Sequence, residues 1–113
     1  MNVTHYSLPN LTVEYFTRRG YEVKKDKPEE ELNTPPKFDL IVSKRKEIHP
    51  VRIKDWNRTV GVNIVINMDK ASQQSVFSSP ILVAEKFSEH AKAYATRRGI
   101  MLISRFEIMR SLR

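Results

Sequence analysis

Two short apolar runs separated by a basic, polar link constrain this chain more than any other feature in it. Phe38-Asp39-Leu40-Ile41-Val42 and Val51-Arg52-Ile53-Lys54-Asp55-Trp56 lie on either side of Ser43-Lys44-Arg45-Lys46-Glu47. Runs of this length and β-branched content, joined by a link polar enough to turn in, predict two adjacent antiparallel strands. A side-chain period of two puts Arg52 and Lys54 on one face of the second strand and Val51 and Ile53 on the other. Asp39 opens the first strand among apolar neighbours. An acid facing a lysine across a strand pair is more than packing requires.

The chain is 113 residues long, which predicts one domain over residues 1–113 with a single core. With no cysteine it has no disulfide framework, thiolate nucleophile or cysteine-bound zinc, and this fits a cytoplasmic setting. Met1 to Tyr6 shows no basic region followed by an apolar run, so no secretory signal is read there. No stretch approaches the roughly 20 apolar residues of a membrane helix. The net charge of +7 is unevenly placed. Residues 1–37 hold six Lys/Arg and six Asp/Glu, whereas residues 38–113 hold fourteen against seven. A surplus confined to the half with the strand pair suggests a polyanionic partner, nucleic acid first. Solvated lysines that keep a small protein in solution are the alternative, and charge alone does not separate the two.

In chain order, Leu8, Leu11, Tyr15 and Phe16 form the stripe of an amphipathic helix over Leu8–Arg19, with Pro9 in its first turn and Gly20 as its stop. Glu14 lies at the edge of that stripe. Tyr21–Lys24 reads as an edge strand, and Lys25–Lys37, with Pro28, Pro35 and Pro36, as a surface loop. After the strand pair, residues 56–61 read as a break. Val62–Met68 satisfies both a strand, by β-branched content, and a helix, by its apolar stripe. Residues 72–79 read as loop and Pro80–Ala84 as a buried strand. Ser88 is an N-cap for a helix stopped by Gly99, followed by a strand at Ile100–Ile103 and a helix from Arg105 to Leu112. The order α-β-β-β-α-β-α-β-α predicts an α/β fold with a central mixed sheet of four to five strands, flanked by helices on both faces.

Asp39 with Val51-Arg52-Ile53-Lys54-Asp55-Trp56, followed by Val60-Gly61-Val62, resembles the Mrr-type branch of the restriction-endonuclease-like superfamily. The later run Ile81-Leu82-Val83-Ala84-Glu85-Lys86-Phe87-Ser88, with Ala91, Ala95, Gly99-Ile100, Leu102 and Ile103, is similar to the same branch. The resemblance spans about Phe38 to Ile103 in one register. It implies a restriction-endonuclease-like core whose motif is Asp, then Glu or Gln, one residue, then Lys. The first two hold a divalent metal, usually magnesium, and the lysine orients water or stabilises charge on phosphate.

Carried over, Asp39 takes the metal position and Lys54 the lysine position. Arg52 stands where the Glu or Gln belongs. A guanidinium has five donors and no acceptor, so it cannot ligate a cation. It would also offer Asp39 a salt-bridge partner, worth on the order of 4 kcal/mol at 4 Å and an effective dielectric near 20. Some nucleases of this superfamily draw an acid from a neighbouring helix, which makes Glu14 the third catalytic candidate. Glu47, Asp55 and Glu85 are poorer candidates, Asp55 because alternation puts it on the wrong face. His49 reads as a loop histidine, and Trp56 as a packing residue that, if exposed, would stack on a base.

Three readings follow. The first is nucleic-acid binding without cutting, DNA before RNA, through Arg52, Lys54, Lys44, Arg45, Lys46 and Arg58. The second is an active magnesium-dependent endonuclease or resolvase-like enzyme built on Asp39, Lys54 and Glu14. The third is a protein-interaction module that keeps the fold. A homodimer is left open in all three.

Overall fold

The computed structural model describes residues 7–25, 38–73 and 79–112. Its elements are α1 (Leu8–Arg18), β1 (Glu22–Lys25), β2 (Leu40–Lys44), β3 (Glu47–Val60), α2 (Val62–Ser72), β4 (Ile81–Phe87), α3 (Glu89–Arg98), β5 (Met101–Ser104) and α4 (Arg105–Ser111). The order matches the sequence expectation. Most of the expected Lys25–Lys37 loop, and residues 74–78 of the later one, lie outside the described residues.

The helices α1, α3 and α4 begin where a side chain satisfies one of their first N–H groups. The Ser7 hydroxyl accepts the Asn10 N–H, and the Ser88 hydroxyl accepts that of Ala91. Ser104 and Glu107 form a reciprocal capping box at the start of α4. At the end of α3, Gly99 takes the left-handed conformation, φ 71°, which only glycine adopts without a Cβ penalty.

The five strands form one sheet in the order β1-β2-β3-β4-β5. The β1–β2 and β2–β3 pairs are antiparallel, and the β3–β4 and β4–β5 pairs are parallel. Alternation along β3 and β4 then divides the core. Val51, Ile81 and Val83 face α1 and α4, where Leu8, Leu11, Phe16, Ile108 and Leu112 close one apolar layer. Leu82 and Ala84 face the other way, into a layer closed by Val65 of α2 and by Ala91 and Ala95 of α3. With apolar side chains on both faces, β4 is buried from Ile81 to Ala84.

One ambiguity is resolved and one expectation needs correction. The ambiguous 62–68 segment is helical, because parallel β3 and β4 require a crossover and a helix is the unit that supplies one. The break expected at residues 56–61 is the second half of β3, which runs 14 residues to Val60. Its polar composition reflects a disturbed ladder rather than a loop. Five residue steps of β3, from Lys54 to Thr59, face two of β4, from Ala84 to Lys86. The surplus residues arch out of register, as in a β-bulge.

Candidate nucleic-acid interface

Asp39 sits one residue before β2 and is tied to β3 on both sides of Arg52. Its N–H donates to the Val51 carbonyl at 2.9 Å, and its Oδ2 accepts the Ile53 N–H at 2.7 Å. The carboxylate thus takes over a β3 amide where β2 has ended. Arg52 and Lys54, two residues apart on β3, stand on the side of the sheet away from α1 and α4, and both are half-buried. Lys54 is held below the usual lysine pKa. Partial burial is the largest cause, the Arg52 charge adds to it, and Asp39 acts in the opposite direction. Lys54 therefore senses both Arg52 and Asp39.

The ion pair expected between Asp39 and Arg52 is not made. The ion pairs among the described residues instead join Arg18 to Glu14, Lys24 to Glu22, Lys92 to Glu89, Arg98 to Asp69, and Arg105 to Glu85 and Asp55, with His49 beside Glu47. Arg52, Lys54 and Arg58 belong to none of them. The reason is geometric: the Asp39 carboxylate is turned to the Ile53 amide.

The other candidates are placed as follows. Glu14 lies on α1, which packs on the opposite face of the sheet, and its Oε1 accepts from Arg18 Nε at 2.7 Å. Lys44, Arg45 and Lys46 are at the turn of the β2–β3 hairpin, while Asp39 is at the other end of β2. Five residues at about 3.3 Å each separate Lys44 from Asp39 by roughly 17 Å. Lys44 Nζ donates to the Arg19 carbonyl at 2.8 Å. Asp55 and Glu85 both reach Arg105 at the start of α4, at 3.9 and 2.7 Å, so Asp55 is on the face that alternation assigns to it. His49 is a buried strand residue, not a loop one; its Nδ1–H donates to the Ser79 carbonyl at 2.7 Å.

Sequence reasoning missed the neighbourhood of Trp56. Its ring centroid lies 4.9 Å from Lys54 Nζ and 4.3 Å from the Arg58 guanidinium carbon. Lys54, Trp56 and Arg58 are spaced by two along one strand. That period was readable, but placing a break at residue 56 hid it.

A mixed five-stranded sheet with helices on both faces, and an Asp before β2 set against a lysine on β3, defines a restriction-endonuclease-like protein. The chain belongs to the Mrr-type restriction endonuclease family, whose model matches residues 1–112. No curated protein matches the chain. Among solved structures, it is similar to a protein of unknown function, AF1548, with a TM-score of 0.75 and 17% identity over 93% of this chain and 65% of that one. A repair endonuclease from Pyrococcus abyssi aligns with a TM-score of 0.65 and 19% identity, over 87% of this chain and 45% of that one. EndoMS in its apo form aligns with a TM-score of 0.54 and 15% identity, over 88% and 46%. The chain thus spans less than two thirds of each of these proteins. No helix among the described residues is long and apolar enough to cross a membrane.

Nucleases of this fold use magnesium, and the donor set around Asp39 does not fit that ion. One Asp39 oxygen is committed to the Ile53 amide, and the adjacent β3 side chains are cations. Among the described residues no group of three or more His, Asp or Glu converges to hold a metal.

Proposed function

We propose that this protein binds nucleic acid through a restriction-endonuclease-like site that no longer cleaves it, with Arg52 and Lys54 holding a phosphate. The observation that carries this reading is the pair of neighbouring cations at the family's catalytic position, neither joined to an acid among the described residues. Two like charges this close repel, which is one reason Lys54 sheds its proton more readily than usual. A phosphate between them relieves the repulsion and uses the planar donor fork of Arg52. Arg58 extends the same basic strip along β3. DNA is favoured over RNA because one structural neighbour is a repair endonuclease.

The test is one set of incubations of the purified protein with end-labelled DNA, with and without magnesium. The expected result is a salt-sensitive mobility shift and intact DNA in both. Magnesium-dependent nicking that disappears in Lys54→Ala at unchanged affinity would establish an active nuclease instead.

A further inference from the structure

We infer that Trp56 is a stacking platform for an unpaired base, so that the strip Lys54–Trp56–Arg58 takes single-stranded or locally unpaired nucleic acid by base as well as by phosphate. This rests on the nucleic-acid reading above and names the substrate form that the site would select. Trp56 is the chain's one tryptophan. It stands in the stretch where five residue steps of β3 face two of β4, so the backbone there has left the ladder. Bulges of this kind redirect side chains. Asp55, in the same stretch, points to Arg105 on one side of the sheet, which leaves Trp56 on the side of Arg52 and Lys54.

The indole is half-buried. One part packs against the apolar layer of Val60 and Leu82, and the rest borders an open groove lined also by Arg58, Thr59, Gly61, Asn63 and Ile64. The two cations at its ring place phosphate-binding groups directly beside the indole. Lys54 and Arg58 lie over the indole, and Arg58 is exposed, free to move onto a phosphate when a base takes its place. Every base offers a π-face to such a platform, so this selection depends little on sequence. A base paired within a duplex has that face covered by its neighbours, and only an unpaired one reaches the groove.

The experiment follows Trp56 fluorescence while the protein is titrated with two fluorescently end-labelled DNA single strands of equal length. One carries its bases, and the other has abasic residues throughout its central part, with the same phosphates. Binding is read separately from anisotropy of the DNA label. The expected result is quenching by the base-bearing strand only, with affinity on the order of tenfold tighter than for the abasic strand. Trp56→Ala should lower affinity for the first strand by more than for the second, so that the difference between the two strands disappears. Equal affinity of the parent protein for the two strands, with equal fluorescence change, overturns the inference while leaving phosphate binding intact. Binding of neither strand overturns the nucleic-acid reading itself, and this inference with it. The comparison of strands on the parent protein needs no variant, so it decides the matter even if Trp56→Ala folds poorly.

Discussion

At the scale of the residue, Arg52 sets the character of the site. Its charge is one of two causes that lower the Lys54 pKa, and Asp39 alone opposes them. Replacing Arg52 with Glu removes a positive neighbour and adds a negative one, so both changes favour charged Lys54. The expected outcome is a Lys54 pKa higher than in the parent, read by NMR titration of isotopically dimethylated lysine with Lys54→Arg to assign the signal. The same variant places two acids beside one lysine, the arrangement the family uses with magnesium. Arg52→Glu should therefore show a magnesium-dependent rise in melting temperature that the parent lacks. An identical melting temperature with and without magnesium in both proteins would count against this geometry. Lys54→Ala makes the complementary test of binding. It should weaken association across all sequences and lower the salt slope by about one unit, with melting close to that of the parent.

At the scale of the element, the cation face depends on how α2 and α3 are joined beside it. Asp69 of α2 is buried, and its Oδ2 accepts both from the Tyr94 hydroxyl at 2.8 Å and from Arg98 Nε at 2.9 Å on α3. Asp69→Ala removes the shared acceptor, so its melting temperature should fall further than that of Tyr94→Phe, which removes one donor. The phenol carries a pH signature. The hydrogen bond to Asp69 is the largest cause raising the Tyr94 pKa above its usual 10.0. The folded state thus favours the protonated phenol. That contribution is complete below pH 10 and is lost as pH rises through the higher folded value. Tyr94→Phe should flatten this loss in denaturation curves collected above pH 10; an unchanged profile would show that the Asp69 bond does not govern it. In β4 the restraint is packing. Leu82 is fully buried in the centre of the sheet, and Leu82→Ala should cost about 2–5 kcal/mol in denaturant unfolding.

At the scale of the whole molecule, fourteen Lys/Arg against seven Asp/Glu from residue 38 onward supply the long-range attraction for a polyanion. Each phosphate neutralised on duplex DNA should contribute about −0.9 to the slope of log affinity against log salt. Affinity unchanged between low and moderate salt would remove charge as the basis of binding. The structure divides this surplus. Arg52 and Lys54 stand near Asp39 with Arg58 further along β3, while Lys44, Arg45 and Lys46 stand at the far end of the hairpin. A duplex is long enough to span the two groups, but they cannot share one phosphate.

The sequence by itself determined the order of elements, the face that Arg52 and Lys54 occupy, and the family. These depend on local periodicity, capping residues and spacing, all carried within a few neighbouring positions. For residues 62–68 the helical apolar stripe competed with β-branched content, and the parallel crossover between strands whose pairing is non-local settles the helix. The same holds for the length of β3. Its polar second half looked like a break, since a strand that leaves its ladder loses the alternation that burial imposes. Tertiary structure alone decided which charges pair between elements. It turned Asp39 to the Ile53 amide rather than to Arg52, placed Glu14 on the opposite face of the sheet, and drew Asp55 to Arg105. Pairs such as Asp55 with Arg105 and Asp69 with Arg98 depend on distances of a few ångströms between residues remote in sequence, and chain spacing does not encode those distances.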